Sequence, residues 1–287
     1  MRVILVPVSD RPECVVALRT AFNLGKQLGS SIMGCHIRVH SDSDVALPHD
    51  ISPLMDEDYD PSWEVILEEK NIKDSGIGAR ALFGKLAEHR GYEFIKKPKS
   101  TAGAMWLERV GSPDRIFSIM GPVSDLIVVS RPAKKGKTLA RRFMTTALLN
   151  SSKPVLILPQ SQVPSIGKKI SIAWNQSSEA ARAVAAAMPL LCQADEVNII
   201  TNDSESKVGP KSKHLERYLR FWGIKSNRLV VKGKNDAKAL LKGFEDSESD
   251  LMVMGGYSRS RFRQRIFGGV TEFMLHDANI PVFVLHS

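Results

Sequence analysis

Between Gly255 and Phe273 the chain reads GGYSRSRFRQRIFGGVTEF, with a glycine pair near each end and Arg259, Arg261, Arg263 and Arg265 between them. An apolar run, Asp250-Leu-Met-Val-Met254, leads into it and has the composition of a buried strand. Glycine lets a ligand approach the backbone closely, and free N–H groups at a helix start attract anions. Gly255, Ser258, Gly268 and Gly269, with Val270 and Thr271 opening a helix, are therefore candidates to cradle a phosphate. The same glycines can equally serve as two sharp turns, and the arginines as a solvated basic loop.

Other chemistry is sparse. His49-Asp50 and His276-Asp277 are neighbours in sequence, which does not set ring against carboxylate. Neither a nucleophile elbow nor metal-ligand spacing is present. Cys14, Cys35 and Cys192 are odd in number and widely spaced, against both a disulfide framework and a zinc site. Gly136-Lys137-Thr138 looks like the end of a phosphate-binding P-loop, but that signature needs a glycine where Arg131 stands. Nothing positions a general base, so catalysis is not expected. Lys134, Lys135, Lys137, Arg141 and Arg142 form a second basic cluster. Apart from Tyr257 and Phe262, no aromatics interleave with the arginine loop, so nucleic acid is a disfavoured partner.

The elements that position these residues occur twice. Arg2-VILVPVS-Asp10 and Lys169-ISIAWNQ-Ser177 are short buried strands, each feeding a helix, the first with Pro12 early and the second capped by Ser177 or Ser178. Ile32–Val39 pairs with Glu196–Asn202, and Met105–Val110 with Arg228–Lys232. Asp125-LIVVS matches Asp250-LMVMG, and Lys153-PVLIL matches Ile280-PVFVL. Each half thus alternates strand and helix, which predicts a parallel, doubly wound α/β sheet with five strands per half. The first half carries an acidic insert over about 40–74, with eleven acidic residues against Lys70 and Lys73, and then a helix within 64–91. Pro159 to Gly167 reads as the linker, giving domains over 1–160 and 168–287.

The spacing strand, Gly255-Gly256-Tyr257-Ser258, nine residues, Gly268-Gly269-Val270-Thr271-Glu272, helix, Ile280-Pro281-Val282 resembles the nucleotide loop of the universal stress protein family. The likeness extends over both halves, so the chain resembles a tandem member. That resemblance implies flavodoxin-like (adenine nucleotide alpha hydrolase-like) domains, a non-enzymatic stress response, and an ATP or related adenine-nucleotide site. The site falls in the second half, around Ala173, Asn175, Gly255, Ser258, Gly268, Gly269, Val270 and Thr271. It also implies pairing of the two halves through their last strands. This sequence departs from the family pattern at Ser258, at Gly269, and at Asn175, where ATP-binding members carry an aspartate. The first half departs further, with Ser130 for the opening glycine, Ser9 for the aspartate, and Arg141-Arg142 against Gly268-Gly269. A family-type site is not expected there.

The competing readings are a ligand-free interaction scaffold that docks an unidentified protein, slow ATP hydrolysis as in some relatives, and an apolar or lipid ligand held between sheet and helices. No metal site is expected, and a homodimer stays open. No apolar run reaches the roughly 18 residues of a membrane span, and three cysteines without a framework make a reducing cytoplasm the default. The net charge of +9 is set against the acidic insert, so the remainder is more basic than the average suggests.

Overall fold

The computed structural model describes residues 1–8, 12–38, 75–132, 138–160, 166–202, 208–233, 235–256 and 269–286. The first half runs β1 (Val3–Val8), α1 (Pro12–Leu28), β2 (Ser31–Arg38), α2 (Ser75–His89), β3 (Ala104–Val110), α3 (Pro113–Met120), β4 (Leu126–Ser130), α4 (Thr138–Asn150) and β5 (Val155–Leu158). The second runs β6 (Lys169–Ala173), α5 (Ser178–Leu191), β7 (Glu196–Asn202), α6 (Ser212–Phe221), β8 (Ser226–Val231), α7 (Asp236–Asp246), β9 (Leu251–Gly256), α8 (Gly269–His276) and β10 (Val282–His286). The helix starts follow their caps. Ser177 caps α5 by accepting from the Ala180 amide at 3.1 Å. Ser112 caps α3 with Pro113 behind it, and Asn235 caps α7.

All strands join one sheet in the order β3-β2-β1-β4-β5-β10-β9-β6-β7-β8. Each half is parallel, and the halves meet through an antiparallel β5–β10 ladder in which Leu156 faces Phe283 and Ile157 faces Val282. The expected pairing through the last strands is therefore present, and it fuses two five-stranded sheets into one of ten. Left open, these short apolar strands would be exposed edges, and pairing removes both at once. Register places β3 and β8 slightly earlier than their apolar runs suggest, because the ladders begin at Ile32–Ala104 and Val197–Ser226. The acidic insert and the first part of its helix lie outside the described residues.

The uninterrupted apolar runs are explained by burial on both faces. On one face Ile4, Val6, Leu156 and Phe283 pack with Leu18 and Phe22 of α1 and with Ala183 and Ala187 of α5. On the other, Leu5, Ile157, Val282 and Val284 pack with Phe117, Met144 and Met274. Both clusters cross the join between the halves. A repeated aspartate clamps each half at the opposite end of the sheet. Asp125 Oδ2 accepts from the amides of Arg2 and Val3, and Asp250 accepts from those of Gly167 and Lys168 at 2.8 and 3.0 Å. Burial pushes the Asp125 carboxyl up, but these amide hydrogen bonds, the N-terminal amine and Lys153 together hold it below its usual value.

Candidate functional site

β1 lies between β2 and β4, and β6 between β7 and β9, so the strand order reverses once in each half. Ligands of open α/β sheets bind outside the carboxyl ends of the strands at such a reversal. In the second half this is the end of β6 beside the end of β9. Ala173 ends β6, buried, in register with Met254 of β9. Asn175 is exposed, and its Oδ1 accepts from the Ser177 amide at 3.2 Å, so the side chain turns the chain into α5. Gly269 starts α8 on the surface, and a Cβ there would meet nothing within 4 Å among the described residues. Val270 packs against the core and Thr271 is buried. Ser258, Gly268 and the arginine loop, like Ser9 in the first half, lie outside the described residues.

Gly255 has a structural use that its sequence context does not reveal. A Cβ at this position would sit 2.5 Å from the Ala180 nitrogen and 2.6 Å from the Glu179 carbonyl carbon. The bare α-carbon therefore admits the first turn of α5 against β9. That turn holds its own anion. Burial raises the Glu179 carboxyl, but its own amide, Ser178, Arg182 and Ser177 more than offset this and keep it below its usual value. A carboxylate there disfavours a second anion at the start of α5, and the first turn of α8 likewise carries an acid, Glu272.

The second half also closes over the end of β6. Trp174 donates its indole N–H to the Pro210 carbonyl at 2.7 Å. Gln176 adopts φ 63°, and a side chain on Gly209 would collide with its carbonyl. Its Oε1 is buried without a hydrogen-bond partner. Sequence inspection passed over Gln176, because nothing local distinguishes a left-handed glutamine from an ordinary one.

In the first half the aligned residues are arginines engaged in structural hydrogen bonds. Arg142, standing where the second half has Gly269, donates to Asp114 Oδ2 at 2.7 and 3.0 Å, and Thr146 donates to Asp114 Oδ1 at 3.0 Å. Arg131 follows β4 and crosses into the other half. Its Nε donates to the Leu275 carbonyl at 2.8 Å, and its Nη2 to Met274 at 2.8 Å and Ile280 at 3.2 Å. The first two carbonyls belong to the last turn of α8, where backbone acceptors lack intrahelical donors. The matching carbonyls of the first half, Ala147 and Lys153, are served by the Ser151 hydroxyl, which Ala278 lacks. Arg131 is 6 % exposed, and burial lowers its pKa to about 10 despite the nearby Asp277 carboxylate.

Two histidines of the second half, one before the start of β10 and one at its end, are also held below their usual pKa. Burial lowers His276, with Arg141 and Arg131 adding to the effect against Glu272 and Asp277. Burial and Arg182 lower His286 against Glu179. A depressed imidazole favours the fold while neutral, so this stability is present above the unfolded-state value near 6.5. It is lost as pH falls through the folded-state values. The melting temperature should drop between pH 7.5 and pH 5.5, and by less in a His276→Gln variant. An unchanged slope in that variant would show that His276 does not contribute.

A continuous sheet of two doubly wound halves, each with a strand-order reversal, defines a flavodoxin-like α/β protein. Residues 167–286 match the profile of the Universal stress protein family. Three solved structures share the two-half layout. A universal stress protein from Archaeoglobus fulgidus DSM 4304 is 18 % identical with TM-score 0.72, over 99 % of this chain and 98 % of its own. A functionally unknown protein from Pseudomonas aeruginosa PAO1 is 14 % identical with TM-score 0.59, over 100 % and 92 %. A putative universal stress protein from Pseudomonas aeruginosa UCBPP-PA14 is 14 % identical with TM-score 0.57, over 100 % and 93 %. At such identities the likeness establishes fold. A search of curated proteins finds no match.

Proposed function

We propose that this chain is a non-enzymatic stress-response protein whose second half binds an adenine nucleotide or a related anionic ligand at the β6–β9 strand reversal. The first half serves as its structural counterpart. The observation that carries this reading is the exposed start of α8, where a Cβ on Gly269 would meet none of the described residues within 4 Å, in the half whose strand order reverses at β6. In the first half Arg142, which aligns with Gly269, lies inside α4 and pairs with Asp114, and this difference between the halves supports one site per chain.

Titration calorimetry with ATP on the wild type and on Gly269→Asp tests the proposal. An aspartate fits the open space and suits a helix start, so the fold should keep its melting temperature while ATP affinity falls at least about tenfold. Equal heats from both proteins, or none from either, would refute the nucleotide reading. The second reading, a scaffold without a small ligand, is favoured by Gly255, whose bareness is already used by α5. Under that reading ATP gives no heat with either protein.

A further inference from the structure

The outer edge of the second half carries an aromatic flank larger than any among the described residues of the first half. α6 turns Leu215 and Leu219 into the core and leaves Tyr218, Phe221 and Trp222 at 42, 86 and 53 % exposure. Their i, i+3, i+4 spacing sets them along one side of the helix end. Val208 ahead of the helix and Val230 on the neighbouring edge strand β8 are exposed as well. At the opposite edge of the sheet the aromatic residues are packed instead. Trp106 tilts against Phe83 at 5.4 Å and Tyr92 meets Phe22 edge-on at 5.1 Å, while Phe94, 44 % exposed, still sets its ring edge-on to Phe83 at 6.0 Å.

The flank is also strongly basic. From Lys211 to Lys232 the chain has Lys211, Lys213, Arg217, Arg220, Lys225, Arg228 and Lys232 against a single acid, Glu216. That acid is bridged by Arg220 at 2.6 Å and Arg228 at 3.1 Å, so the surface faces solvent as a cation field. Exposed aromatic rings grouped on one side and rimmed by cations mark a contact surface rather than scattered surface hydrophobics.

The chemistry selects the partner. A second copy of this chain would set the same seven cations against themselves, which like-charge repulsion opposes. Single-stranded nucleic acid is held in grooves whose floor stacks the bases. Here the rings project from the end of a ten-residue helix. A flat anionic surface fits such a projection. Trp and Phe settle at the headgroup level of a bilayer, and each lysine or arginine near anionic headgroups adds to the attraction. We propose that the α6–β8 edge docks on anionic lipid bilayers. Phe221 and Trp222 enter the headgroup layer, and Lys213, Arg217 and Lys225 meet lipid phosphates. This surface is separate from the strand-reversal site and does not depend on it.

Vesicle flotation of the full chain tests the proposal, using phosphatidylcholine alone and phosphatidylcholine with roughly a third phosphatidylglycerol. The protein should float with the anionic vesicles and not with the neutral ones, and added salt should release it. A Phe221→Ser/Trp222→Ser variant should lose at least about tenfold in vesicle affinity, as should Lys213→Glu/Arg217→Glu. Both replace exposed side chains, so their melting temperatures should match the wild type. Absence of flotation with anionic vesicles would overturn the proposal. So would wild-type flotation of the ring variant, which would place the lipid contact elsewhere on the basic chain. A parallel titration with single-stranded RNA completes the test. RNA that binds through the same rings more tightly than vesicles do would reassign the surface to nucleic acid.

Discussion

Arg131→Ala should lower the free energy of unfolding by about 4 kcal/mol, the largest effect expected of any single change here. The guanidinium, almost fully buried, serves three carbonyls of the other half, at Leu275, Met274 and Ile280. Truncation leaves these acceptors without a donor and opens a cavity beside α8, and each loss is felt where water cannot substitute. Arg131→Lys should recover less than half, because a single ammonium cannot reproduce a planar fork that reaches three acceptors. Chemical denaturation gives the energy. Hydrogen exchange at Val155–Ile157 and Val282–Val284 gives its location, since loosening α8 against β4 should speed opening of the β5–β10 ladder. A loss under about 1 kcal/mol for the alanine variant would mean that the halves are held by the ladder and core alone.

Gly255→Ala should cost about 3 kcal/mol, large for one methyl group. The new carbon would lie 2.5 Å from the Ala180 nitrogen and 2.6 Å from the Glu179 carbonyl carbon, and both are backbone atoms that no rotamer change can move aside. Relief requires β9 and α5 to separate, which disturbs the apolar contacts of Ala180, Ala183 and Leu251. The loss should appear in protein free of nucleotide. That separates a packing role from a ligand role, because a glycine needed only for phosphate approach would leave the empty protein unaffected. Gly269→Asp supplies the contrast, as its site is open. The two glycines of one motif should therefore divide, with stability at Gly255 and ligand affinity at Gly269.

These roles bear on how the chain combines its two halves. The first half uses Arg142 to hold Asp114 and Arg131 to hold the last turn of α8. The second half receives a guanidinium its own sequence lacks. The duplication is thus complementary rather than redundant, since one half completes the hydrogen bonding of the other.

Much of this was legible in the sequence, for a local reason. Strand and helix identity follow from runs such as LIVV and VLIL and from caps such as Ser177, and those preferences act over a few residues. Duplication was visible as two matching series, and the family resemblance implied that the closing strands would pair. The aspartates at 125 and 250 stood out as a repeat, but their clamping of β1 and β6 required the strands to lie side by side. Arg131 entered the sequence reading only as a residue spoiling a P-loop. Its acceptors lie 143 to 149 positions away, and no local pattern carries that information. Gly255 was read as room for a ligand because glycine announces only a missing side chain. Which neighbour uses the space was decided when α5 packed on β9, since non-local contact, not propensity, determines what an empty position admits.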